Sequence, residues 1–169
     1  MAKFELSKVE SITFKKPDGL ELYGWTIKPP NFDPSKKYPV LVFVYGGPGV
    51  QTVLNAWQGS NYFWHQMLAQ KGYIIVSVDN RGTPSRGLEF ANCIYKDMGN
   101  YEVQDQLFVA AELTKMPYVD RTRIGVWGWS FGGYMTSLLM TKGADVFKCG
   151  IAVAPVTNVR YKCYHKNAS

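Results

Sequence analysis

The sequence has little of what staples or metallates a small fold. Its only cysteines are Cys93, Cys149 and Cys163, an odd number with no C-x-x-C spacing, which gives no support to a disulfide framework or a zinc site. Three unpaired thiols suit a reducing compartment, which favours a cytoplasmic chain while leaving the localisation open. His65 and His165 are the only histidines, too few and too far apart for a metal centre with acidic neighbours. No metal or other cofactor is expected. No apolar run approaches the 18 or so residues of a spanning helix, and Met1 to Leu6 lacks the apolar stretch of a secretory signal. With 46% hydrophobic and 15% aromatic residues among 169, disorder and low-complexity classes are excluded and a sizeable core is available.

Acidic residues are also in the minority, 13 against 19 basic ones, for a net charge of +6. The excess is unevenly spread. Residues 1–37 carry +2, residues 38–139 balance at zero, and residues 140–169 carry +4 through Lys142, Lys148, Arg160, Lys162 and Lys166 against Asp145. A nucleic-acid footprint needs a basic stripe with interleaved aromatics on one element. A basic tail does not make one, and no nucleic-acid partner is expected.

The chain opens with two alternating segments, Ser11 to Lys15 and Leu20 to Lys28, around the turn signal Lys16-Pro17-Asp18-Gly19, an antiparallel hairpin. Val40 to Val44 is an unbroken apolar run that reads as a strand buried on both faces. Then follow a helix over Tyr62 to Gln70, a buried strand over Tyr73 to Val78, a loop from Asp79 to Gly87 and a helix over 100–115. A strand from Arg123 to Gly128, a helix from Phe131 to Thr141 and a last strand from Cys149 to Val153 complete the pattern. Strands alternating with helices define βαβ units, hence an α/β fold with a parallel sheet and helices on both faces. No linker or repeat divides 1–169, which reads as one partial domain. The pattern decays after Pro155, and 158–169 forms a divergent basic tail.

Gly128-Trp129-Ser130-Phe131-Gly132 matches G-x-S-x-G and lies between a predicted buried strand and a predicted helix. That context makes the match mechanistic, because small residues let a strand turn sharply into a helix while presenting a strained, exposed serine. A structural turn serine is the bland alternative. A nucleophilic serine also needs an oxyanion hole. The backbone N–H of Phe131, at the helix start, supplies one donor. A second should come from the loop after the first parallel strand, Tyr45-Gly46-Gly47-Pro48-Gly49; on sequence physics alone Tyr45 reads as an ordinary strand-end aromatic.

Tyr45-Gly46-Gly47-Pro48, Asp79-Asn80-Arg81-Gly82 and Gly128-Trp129-Ser130-Phe131-Gly132-Gly133-Tyr134, in this order and spacing, resemble the α/β-hydrolase domain of the prolyl oligopeptidase family of serine peptidases, in particular its dipeptidyl peptidase IV branch. The likeness runs from about Ser11 to Thr157. It implies that the Tyr45 hydroxyl joins the oxyanion hole and that Asp79 to Gly82 borders the site without taking part in the chemistry. It further implies that Trp129 buttresses the elbow beside the substrate and that Val156 lines the small pocket for proline or alanine. The implied substrate is a peptide, cut after its second residue.

In an α/β-hydrolase the acid and the histidine follow the serine in the chain. After Ser130 the sequence offers only Asp145, at a helix exit on the wrong end of the sheet, and His165, in the basic tail. His65 precedes the elbow in an aromatic-rich helix, where packing or surface exposure is the better reading. The chain is therefore expected to hold nucleophile and oxyanion hole without acid or base, as the N-terminal part of a C-terminally truncated hydrolase sheet. An esterase using the same elbow and a non-catalytic binding module remain alternatives. A sheet that stops at Val153 is expected to leave an open edge prone to self-association.

Overall fold

The computed structural model describes residues 6–56 and 59–158. β1 (Val9–Lys15) and β2 (Glu21–Ile27) form the expected antiparallel hairpin. They are followed by β3 (Tyr38–Phe43), α1 (Ser60–Gln70), β4 (Ile74–Val78), α2 (Leu88–Asn92), α3 (Tyr101–Lys115), β5 (Val119–Trp129), α4 (Phe131–Lys142) and β6 (Cys149–Val153). The six strands make one sheet in the order β1-β2-β4-β3-β5-β6. β4, β3, β5 and β6 run parallel, and β2 joins the hairpin to β4 in antiparallel register. This is the expected α/β sheet of hydrolase type.

The unbroken apolar runs explain why the parallel strands sit in the middle. Val40, Val42 and Val44 face one layer with Ile74, Val76, Val78, Ile124 and Val126, where α3 contributes Val109 and Leu113 and α4 contributes Met135 and Leu139. Leu41, Ile75 and Trp127 alternate to the other face and pack with Trp25, Ile27 and Ala69 of α1. A strand buried on both sides has no polar face to offer, so its sequence does not alternate.

Two elements exceed the sequence expectation. β5 begins at Val119, four residues before the expected Arg123; Val119 pairs with Tyr38, and Asp120 to Arg123 make up the register shift between that pair and Val40–Ile124. The polar run hides the strand because Asp120 to Arg123 bulge towards solvent between two buried, paired positions, Val119 and Ile124. α2 has only five residues and starts after Gly87 at φ 88°, too short for a helical period to register. The tail's Cys163 and His165 lie outside the described residues.

His65 is a packed core residue. It is fully buried in α1, with its ring 5.3 Å from Trp25, 5.2 Å from Phe43 and 5.7 Å from Trp127, and neither ring nitrogen has a hydrogen-bond partner among the described residues. Burial lowers its pKa from 6.5 to about 4. A depressed imidazole pKa means that the unfolded chain takes up the proton first, so stability falls as pH drops from 6.5 towards 4. In urea titrations from pH 7 to 4, the stability of wild type relative to His65→Leu should fall by up to about 3 kcal/mol. A pH-independent difference would show that the imidazole is not held neutral.

Candidate active site

Ser130 occupies the corner between β5 and α4 with φ 58° and ψ −114°, a left-handed conformation that costs a non-glycine residue on the order of 1–3 kcal/mol. The surroundings hold it there. Its N–H donates to the Val153 carbonyl at the end of β6 (2.9 Å), and its carbonyl accepts from Tyr134 (3.1 Å) and Val156 (3.3 Å). The half-buried Ser130 side chain makes no capping hydrogen bond to α4. A strained serine at the head of a helix, with its hydroxyl not used as a cap, is the expected elbow geometry.

The glycines of the motif are required by space. A Cβ at Gly128 or at Gly132 would collide with the carbonyl oxygen of Val44, and one at Gly133 would lie 2.8 Å from the Val153 oxygen. Val44 immediately precedes Tyr45, so the same contact that forbids side chains at 128 and 132 brings Tyr45 beside the elbow. Tyr45 is half-buried, with its ring 6.2 Å from that of Phe131. Its hydroxyl makes no hydrogen bond to the described residues. Phe131 opens α4, where the helix dipole favours negative charge. The structure thus brings three of the expected residues together: Ser130, Tyr45 and Phe131.

Trp129 is 60% exposed and lines a cleft of about 330 Å3 with Phe43, Tyr45, Thr52, Leu54 and Trp127. Val156 is absent from that lining; its backbone meets Ser130 and its side chain is half-buried. Asp145 is exposed in the turn after α4, between that helix and the start of β6, as expected at the end of the sheet away from the elbow. Among the described residues, no three His, Cys, Asp or Glu side chains converge on a metal position, and no helix is long and apolar enough to cross a membrane.

Behind the site lies a buried polar layer that goes beyond the sequence expectation. Asp105 is fully buried and accepts from the Arg81 backbone N–H (2.9 Å), from its guanidinium (2.7 Å to Nη2) and from Lys16 Nζ (2.8 Å). This bonding raises the Arg81 pKa, and the guanidinium also lies over the Tyr101 ring at 4.5 Å. Glu102 and Gln106 are buried beside it on the same face of α3. Burial raises the Glu102 carboxyl pKa. The signal was available: polar residues at 102, 105 and 106 share a helical stripe with apolar 109 and 113, where solvated residues have no place.

A parallel sheet flanked by helices, with a strained serine on a strand-to-helix corner, defines an α/β-hydrolase. Residues 60–168 match the model of the prolyl oligopeptidase family, and the chain belongs to that family. It is 44% identical over 162 residues to prolyl endopeptidase FAP of Mus musculus, covering 95% of this chain and 21% of that protein. It is 41% identical over 149 residues to dipeptidyl peptidase 8 of Homo sapiens, covering 88% of this chain and 17% of that protein. The solved Porphyromonas gingivalis dipeptidyl peptidase 4 superimposes with a TM-score of 0.87 at 44% identity, over 92% of this chain and 22% of that one. The chain spans about a fifth of the length of the relatives it matches.

Gly132→Ala should destabilise by at least about 3 kcal/mol, because the backbone of Val44 and Tyr45 blocks the new methyl group. Gly49→Ala should cost only about 1–2 kcal/mol, since Gly49 has φ 78° with open space around its Cβ position. Chemical denaturation of the two variants checks the order, and equal losses would contradict the packing described for the elbow.

Proposed function

We propose that the chain is a catalytic-domain segment of a serine peptidase that cuts peptides after a proline-like or alanine residue, releasing N-terminal dipeptides through an acyl-enzyme on Ser130. The observation that carries this reading is the strained Ser130 beside Tyr45 at the ends of adjacent strands. Membership in a peptidase family adds the substrate class.

In the proposed step, Ser130 Oγ attacks the scissile carbonyl. The oxygen that becomes negative receives the Tyr45 hydroxyl and the Phe131 N–H, groups oriented before reaction begins. The serine proton needs a base. His65 is sealed among Trp25, Phe43 and Trp127, and Asp145 lies across the sheet from the elbow, so neither serves. Trp129 offers an apolar wall for the substrate and Val156 a second contact close to the nucleophile.

Without a base the 169-residue chain should react slowly. A fluorophosphonate should label Ser130 at least about a thousandfold more slowly than it labels a complete triad enzyme. Stoichiometric labelling within minutes, mapped to Ser130 by mass spectrometry, would show that a base is in place and overturn the reading that His165 does not act as one.

β6 supports a reading about partners. It pairs with β5 alone among the described residues, and Cys149, Gly150, Ile151 and Ala152 are exposed along it. An open apolar strand edge favours pairing with another chain, and we propose self-association there. Sedimentation should show mass rising with concentration, and Ile151→Lys should suppress it. A monomer at every concentration would contradict the proposal.

A further inference from the structure

Two consecutive buried polar residues follow β4, and each grips one end of the segment that leaves β3. The Asp79 carboxylate accepts from the Thr52 N–H (2.9 Å), the Thr52 hydroxyl (2.8 Å) and the Val53 N–H (3.0 Å). Asn80, fully buried, donates from Nδ2 to the carbonyls of Gly46 (2.9 Å) and Arg81 (2.7 Å). Its Oδ1 accepts from Gln106 Nε2 (2.9 Å), which also donates to the Val78 carbonyl (2.9 Å). Two carbonyl acceptors on one side and an amide donor on the other fix which way the Asn80 amide points.

The bond to Gly46 matters because of where Gly46 stands. It follows Tyr45 directly and adopts φ 71°, and a Cβ there would lie 2.8 Å from Asn80 Oδ1. A peptide is planar, so holding the Gly46 carbonyl towards Asn80 turns the Gly47 N–H the opposite way. On the far side Gly47 rests against the Phe131 ring, 2.5 Å from where its own Cβ would be. The turn is therefore gripped between Asn80 and the first residue of α4. A buried asparagine often does no more than satisfy nearby carbonyls. Here the one partner distant in sequence that it donates to belongs to the turn after Tyr45.

We propose that Asn80, oriented by Gln106, is a positioning residue for the oxyanion side of the site: it sets the Tyr45–Gly47 turn against the elbow so that the tyrosine hydroxyl meets charge developing at Ser130. The proposal rests on the reading of Ser130 as nucleophile and Tyr45 as donor. Asn80 itself touches no reacting atom.

Phosphonylation of the 169-residue chain, with imidazole added as external base, separates this role from stability. Ser130 Oγ forms a bond to phosphorus, the P–F bond breaks, fluoride leaves and imidazole takes the hydroxyl proton. Charge builds on the phosphoryl oxygen as it does on a peptide oxyanion. Asn80→Ala should lower kinact about tenfold or more with KI unchanged, since a displaced donor acts on the transition state. Leu113→Ala, buried in α3 away from the turn, should lower Tm without changing kinact. Gln106→Leu leaves the Asn80 donors in place and should give a smaller fall in kinact, and it carries the test where Asn80→Ala does not fold. Wild-type kinact in the folded Asn80 and Gln106 variants would overturn the proposal. A folded wild type unlabelled at Ser130 would overturn the nucleophile reading beneath it, and the proposal with it.

Discussion

The contact on which the site depends is the approach of the Val44 carbonyl to Gly128 and Gly132. Two parallel strands lie a fixed distance apart in a sheet, but the chain leaving β3 and the helix following β5 come closer than side chains allow. Glycine at both positions removes the obstruction. The carbonyl then seats against the elbow, Tyr45 follows it beside Phe131, and Ser130 is left in a conformation that only its surroundings stabilise. The bonds of Ser130 to Val153, Tyr134 and Val156 offset that strain, and they tie the serine to β6 and to the segment beyond it.

Behind this contact stands a polar layer that fixes the loop after β4. Asp105 sits without solvent between Arg81 and Lys16. Removing one member of such an arrangement leaves a buried charge unpaired, whereas the intact set holds its members in one geometry. Arg81 is thereby anchored through both backbone and side chain, which places Asn80 and Asp79 immediately before it. Their own bonds run forward to Gly46, Thr52 and Val53. Charge pairing in α3 is in this way linked to the position of a turn at the mouth of the site.

Much of the fold was legible in the sequence because the signals were local. The apolar runs around Val40, Ile74 and Ile124 give strands buried on two faces, and the G-x-S-x-G corner announces its own geometry. The proline and aspartate at 17 and 18 mark the hairpin. What the sequence left hidden depends on partners far apart along the chain. Asn80 meets Gly46 across 34 residues and Lys16 meets Asp105 across 89, and no periodicity encodes either pair. The sequence left His65 open between core and surface, and only the cage of Trp25, Phe43 and Trp127 decides it. For Val156, which the resemblance makes a pocket wall, the structure shows a backbone contact to Ser130 and a half-buried side chain.

The measurement that bears most directly on the account is a crystal structure of the chain after phosphonylation of Ser130. The account predicts the phosphonyl oxygen within about 3 Å of both the Tyr45 hydroxyl and the Phe131 amide nitrogen, with the Val44 carbonyl still seated against Gly128 and Gly132. A phosphonyl oxygen turned to solvent, with the Tyr45 hydroxyl bonded elsewhere, would contradict it.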